Sequence, residues 1–330
     1  MNALTSKSIT SGSTLAWLVK REYWENRGGF LWAPIITGAI VSTLYAILAV
    51  IGSISASRSL NKDGFVINDA PDKIHGAIGA FGDGVLMGGL GLASIVLAFV
   101  VFFYALGSLY DDRRDRSILF WKSLPVSDLT MVLSKAAWAL LLAPAIAIAV
   151  GAVISLVLWI ISALTITVHG LPASSAIFTH SHPIRILLGA VSTLPVYVLW
   201  ALPSVGWLMF CSAWARSKPF LWAVLLPVLA CVIISMMDIL PQMHIPHEKL
   251  WYAVVVRGLL SVMPGTWYAA LDMEQMIREA RIDSPDDVAS ALDLTSSWQV
   301  FATADLWIGA AVGIALIAAS VRLRRWRDEG

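Results

Sequence analysis

Two groups of residues in this chain have the types and spacing to do chemistry. One is a set of histidines in polar stretches. The other is a dense run of charges and aromatics at 111–128. His180 and His182 stand two apart, and His244 and His247 stand three apart with Pro246 between them. A zinc site needs three or four protein ligands. Each pair supplies two, so these histidines, with His169, read as ordinary loop residues and no metal is expected. The chain has no GxxxxGK[ST] phosphate loop, so it is not expected to bind ATP in that way. It also lacks the Gly-x-Ser-x-Gly elbow and the His-Glu-x-x-His pair.

The run at 111–128 is DDRRDRSILFWKSLPVSD. Arg113, Arg114, Arg116 and Lys122 surround the apolar residues Ile118, Leu119, Phe120 and Trp121. Leu124 precedes the stop at Pro125. Ser127 and Asp128 have the form of an N-cap and first-turn acid for the next helix. A basic loop between spans can do no more than set membrane orientation. A solvated loop gains nothing, however, by exposing Ile-Leu-Phe-Trp. The chemistry offered is docking: a short helix with an aromatic knob and a basic rim, to be covered by a cytoplasmic partner protein.

Trp200, Trp207 and Trp214 recur at intervals of seven and fall on nearly one helical face. Packing with an interfacial belt accounts for such a stripe. A wall of an apolar substrate path is the functional alternative. The spans around it carry few charges: Asp238 and Asp305 fall near outer ends and Arg185 at a mouth. Pumps place acids at mid-membrane, so a proton-driven carrier or a channel with a charged filter is disfavoured.

These features need a scaffold, and composition supplies its class. Of 330 residues, 58% are hydrophobic and 14% charged, with mean hydropathy +0.75. Soluble domains are nearer a quarter charged. The expectation is an all-α polytopic membrane protein, with residues 1–330 as a single transmembrane domain. Net charge +1 argues against nucleic-acid binding. Cys211 and Cys231 lie in apolar runs and read as buried small hydrophobes.

Residues 14–28, with Lys20, Arg21, Glu22 and Trp24 among them, mix aromatics with charges and suit an interfacial helix, or else a polar lead-in with snorkelling Lys20 and Arg21. Gly28 and Gly29 are expected to break it. Apolar runs of about the ~20 residues a bilayer needs follow at 30–51, 85–110, 136–161, 184–214, 220–240 and 301–321. That is about six spans. Polar loops are expected at 58–83 and 165–183. Pro195 and Pro203 are expected to interrupt the fourth span. The second opens with Gly84, Gly88, Gly89 and Gly91, which suit either close helix contact or a flexible start. The 241–300 region reads as an external helical pair, an apolar 249–263 containing Arg257 and an amphipathic 266–281. A further helix start lies at 284–287. Lys and Arg number 15 on the side of the termini and central loop against 8 on the other. The positive-inside rule puts both termini and the central loop in the cytoplasm.

The layout resembles the permease subunit of bacterial type-2 ABC exporters. The likeness is carried by REYWENR before the first span, DDRRDRSILFWKSLPVSD after the second, six spans, and a break-rich helical pair before the last. The resemblance implies that residues 20–27 form an elbow helix and 116–124 a coupling helix that docks on a separate ATPase. It implies a dimer of permeases, a homodimer here, with two ATPase subunits that hold the ATP and Mg. It also implies the bacterial inner membrane. The 241–300 region is longer than the short hairpin usual in that family. Two other classes stand beside this expectation: a polytopic membrane enzyme, and a stand-alone channel or facilitator. An ATPase that co-purifies would separate the exporter from both.

Overall fold

The computed structural model describes residues 11–63, 71–115, 126–171, 173–237, 246–271 and 294–327. All regular elements among them are helical. α1 (Ser11–Arg27) does not stop at Gly28. It runs through a wider π turn, Gly28–Trp32, into α2 (Ala33–Asp63). A glycine costs a helix only about 1 kcal/mol relative to alanine. The two glycines are absorbed in one turn, and Gly29 leaves room for Val100, which a Cβ there would meet at 3.2 Å. Phe30, inside the turn, is buried edge-on to Tyr104 and Trp138.

Most of the stretch expected as a loop at 58–83 is helix. α2 reaches Asp63, and α3 spans Pro71–Gly107. Packing overrides the glycine-rich composition. A Cβ at Gly79 would lie 2.5 Å from the His180 carbonyl, and one at Gly82 3.0 Å from Ser181. These glycines bring α3 against the 176–182 segment. After Gly107 a turn leads to α4 (Tyr110–Arg114).

α5 (Asp128–Ala137) starts where the sequence places it. The Ser127 hydroxyl accepts a bond from the Thr130 N–H at 3.2 Å, and Asp128 occupies the first turn. A π turn, Trp138–Leu142, carries it into α6 (Ala143–Val168), so helix extends into the outer loop expected at 165–183. α3 and α6 cross closely. Gly89 would drive a Cβ to 2.6 Å from Ser155 Cα, and Gly151 to 2.9 Å from Ala93. Ser155 donates to the Leu86 carbonyl at 2.8 Å. Of the four glycines that open the second span, Gly89 is the contact; Gly84, Gly88 and Gly91 face open space.

α7 (Ala176–Thr179) is one turn within the remaining outer loop. The fourth span divides at Thr193 into α8 (Pro183–Ser192) and α9 (Leu194–Trp214). Pro195 therefore begins a helix rather than interrupting one, since a first-turn N–H has no partner to lose. Pro203 remains inside α9, the most deeply buried of the long helices. It packs on α12 (Ala304–Arg327) through Gly206 and Gly313. A Cβ on Gly206 would lie 2.6 Å from the Gly313 carbonyl, and one on Gly313 2.4 Å from Leu202 C. Small residues at such a crossing allow direct backbone contact.

Between them lie the π turn Leu221–Leu225, α10 (Leu226–Met236) and α11 (His247–Trp251), followed by a π turn, Tyr252–Arg257. The expected amphipathic helix at 266–281 is, in its described part, a 3₁₀ turn at Thr266–Ala270, entered through Gly265 at φ +90°. Residues 272–293, including 284–287, lie outside the described residues. A second 3₁₀ segment, Leu294–Ala302, precedes α12. Among the described residues, five helices are long and apolar enough to cross a membrane: Leu15–Ser59, Ile74–Arg114, Asp128–Val168, Leu194–Trp214 and Ala304–Trp326. The described helix at the sixth expected position, Leu221–Met236, is shorter. The architecture is that of an all-α, multi-pass membrane protein.

Candidate functional site

The residues expected to dock, Arg116, Ile118, Leu119, Phe120, Trp121, Lys122 and Leu124, lie outside the described residues. Both stems of their loop are described, and they enter a buried lattice of charges. Asp112 stands on α4 and Asp128 at the start of α5. One arginine of the last helix holds both: Arg324 places Nε 3.2 Å from Asp128 Oδ1 and Nη1 3.4 Å from Asp112 Oδ2. Its side chain is 5% exposed.

Lys135 extends the lattice from α5. Its Nζ lies 3.5 Å from Asp112 Oδ1 and 3.2 Å from Glu22 Oε1. Glu22, on α1, is buried and also accepts from Arg21 at 2.9 Å and from the Tyr104 hydroxyl at 2.8 Å. Arg113 donates to the carbonyls of Ser212 and Ala215 at the end of α9. In return, the Ser212 hydroxyl accepts the Leu109 and Tyr110 N–H groups at 3.1 and 2.9 Å, where the turn out of α3 leaves them without helical partners. A cleft of about 450 Å³ opens beside the lattice, lined in part by Glu25, Tyr104, Asp111, Asp112, Asp115 and Lys135.

Taking an ion out of water costs several kcal/mol, which is offset only when it is paired and hydrogen-bonded. The lattice meets that condition with partners from five helices, α1, α3, α4, α5 and α12. It joins α1, both stems of the 111–128 loop, and α12, and through Arg113 it reaches α9. Such an arrangement is suited to carrying displacement. Among the described residues no group of three or more His, Cys, Asp or Glu could hold a metal ion. His182 instead pairs with buried Asp83, and His169 with Ser53.

The four residues marking the first helix divide by face. Glu22 points into the lattice with Arg21 beside it. Trp24 and Trp17 are exposed, with Arg27 and Lys20 over their rings.

The three tryptophans of the fourth span take different positions. Trp200 is fully buried and its Nε1 donates to Thr266. Trp207 is half-buried and donates to the Ala223 carbonyl. Trp214 is exposed and packs edge-on to Trp222. None of the three lines the apolar cavity of about 310 Å³ that lies between α3, α6, α9 and the 263–268 turn.

Sequence reasoning missed the partners of Glu22 and Lys135, and it noted Arg257 without assigning it a partner. The Arg257 guanidinium lies 3.6 Å from the Trp200 ring centre and donates to the Trp200 and Asp305 carbonyls. Its Nε is 3.4 Å from the Asp305 carboxylate. The available signal was a charge within an apolar run, which must find a partner inside the fold. No protein-family model, curated protein or solved structure matches the chain.

Proposed function

We propose that this chain is the membrane-spanning permease subunit of an ATP-driven exporter, of the type-2 ABC kind. It forms the substrate path as a homodimer in a bacterial inner membrane, with both termini and the 111–128 loop cytoplasmic. It hydrolyses no ATP; two copies of a separate ATPase hold ATP and Mg and dock on residues 116–124. α1 is its interfacial elbow. The observation that carries this reading is the double hold of Arg324 on Asp112 and Asp128, with Lys135 linking Asp112 to Glu22. A load applied to the loop is passed through both stems to the first and last helices. A loop that only set orientation would gain nothing from such a buried lattice.

The test is capture of an ATPase by purified protein in detergent. A buried aromatic anchor contributes a few kcal/mol to an interface. Replacing Phe120 and Trp121 together by Ala should weaken capture ~100-fold if about 2.7 kcal/mol is lost. Insertion should be unchanged, because neither residue falls in a span expected from the sequence. Charge reversal at exposed Arg114 should weaken association mainly at low salt, whereas reversal at Arg113 should also lower stability, because it breaks the bonds to the Ser212 and Ala215 carbonyls. Wild-type capture and wild-type coupling by the double alanine variant would remove the docking role from this loop. Failure of the unmodified chain to retain any ATPase would favour a stand-alone facilitator or a membrane enzyme.

A further inference from the structure

The cavity between α3, α6, α9 and the 263–268 turn has no part in the reading above. Its volume is about 310 Å³, roughly twice the ~150 Å³ of an engineered apolar cavity that stays dry and takes up benzene. Its walls include Leu90, Leu97, Pro144, Ile148 and Trp267. Four of the five polar side chains among its described lining residues are already occupied, and the fifth, Ser94, adds a single hydroxyl. Thr193 donates to the Ala190 carbonyl at 2.8 Å, Tyr197 to the Val262 carbonyl at 3.1 Å, and Tyr268 pairs with Ser297 at 2.8 Å. Trp267 gives its indole N–H to Ser297 at 3.0 Å. A water needs two to four polar partners, and these groups offer few. Nor does any of the described lining residues carry a charge to hold a head group.

The cavity also opens outward. Ile95 lines it and is exposed on the surface of α3. It lies near the middle of the long apolar stretch of that helix, which has the length and composition to cross hydrocarbon. Gly91 keeps it open, because a Cβ there would meet nothing within 4 Å.

We propose that this cavity is a binding site for a single acyl chain, entered from the bilayer past Ile95, with the head group left outside at the mouth. The ligand class is a long saturated hydrocarbon tail. Burial of each methylene is favourable relative to water. Against bilayer hydrocarbon only the packing surplus remains, so occupancy is exchangeable. The site requires only that the chain sit in a membrane, and it stands or falls apart from the exporter reading.

The experiment uses the full chain in lipid nanodiscs with two photoreactive probes, mapped by peptide mass spectrometry. One is a phosphatidylethanolamine bearing a diazirine in its acyl chain; the other is a diazirine-bearing free fatty acid. Label should appear on 91–97 and on Trp267–Tyr268, beyond the lipid-facing residues of α2 such as Ile40 and Leu44. Gly91→Leu places a side chain in the cavity and should reduce the 267–268 label about tenfold, equivalent to about 1.4 kcal/mol. Gly84→Leu adds the same side chain at an exposed position with open space around it and should leave that label unchanged. Label from phospholipid identifies a bilayer lipid as the source, and label from fatty acid alone identifies a free amphiphile. Label confined to lipid-facing residues in the unmodified protein would overturn the proposal without reference to any variant. So would equal 267–268 labelling in folded Gly91→Leu.

Discussion

Replacing Lys135 by Met removes one ammonium from the centre of the lattice and keeps most of the side-chain volume. That ammonium lies 3.2 Å from Glu22 and 3.5 Å from Asp112. The three side chains are 5%, 2% and 12% exposed, so water screens none of them well. Removing one partner from a buried pair costs about 3–5 kcal/mol, because the other charge stays behind. Glu22 keeps Arg21 and Tyr104, and Asp112 keeps Arg324, which places the cost near ~3 kcal/mol. Adding Glu22→Gln removes the stranded charge and should recover roughly 1–2 kcal/mol, a coupling of the size expected for residues in one network. The assay is thermal or denaturant unfolding of the four purified proteins of the cycle in one detergent. If Lys135→Met unfolds with the parent, or the double variant is the plain sum of the singles, the lattice does not hold the loop stems as argued. In the exporter reading the same variant also lowers transport per ATP hydrolysed, because the stem carrying Asp112 loses its link to α1.

Reporter fusions at Gly330 and within 284–297 should lie on opposite sides of the membrane, and the same side for both would refute the orientation drawn from the Lys and Arg count. Trp200→Ala should destabilise by about 3–5 kcal/mol, as large buried aromatics do, since it also strips Arg257 of its ring. Trp214→Ala, at an exposed position, should cost under ~1 kcal/mol; equal melting shifts for the two would contradict their burial. Gly313→Leu forces a side chain into the Leu202–Pro203 backbone and should lower the melting point by an amount equivalent to ~2 kcal/mol or more, and an unshifted melt would refute the close crossing.

What could be read from the chain was what is decided locally. Composition names the membrane class, because an apolar run needs no partner to identify it. The Ser127 cap is legible because cap and recipient are three residues apart. The π turns were not legible. Gly28–Gly29 has the composition of a break, and whether a helix stops there or widens depends on Phe30 finding Tyr104 and Trp138. The split at Thr193 was hidden by Pro195, which marks a first turn as readily as an interruption. The lattice was legible only by half. Lys135 and Arg257 stand in apolar runs and so announce that a partner exists. Which partner is a tertiary fact: Asp112 and Arg324 meet across a sequence separation of 212.

Arg257 and Arg324, whose partners escaped the sequence reading, bear on the same helix. At the start of α12, Arg257 holds Asp305, whose carboxylate also takes the Tyr252 hydroxyl. Near its other end, Arg324 holds Asp112 and Asp128. Between them Gly313 presses α12 onto the backbone of α9. Gly309 completes the arrangement, since a Cβ there would lie 1.7 Å from the Arg257 guanidinium; the helix surface is cut back to admit the cation. α12 is thus fixed by an ionic contact toward each end and by a close crossing in the middle. A close crossing resists tilting, because atoms at van der Waals contact have no room to give. Ion pairs are different: they have discrete alternatives, in which a guanidinium leaves one carboxylate for another or for water. If α12 moves during a functional cycle, it therefore pivots about Gly313, and the exchange of partners takes place at Arg257 and Arg324. The loop stems, which share Arg324, move with it.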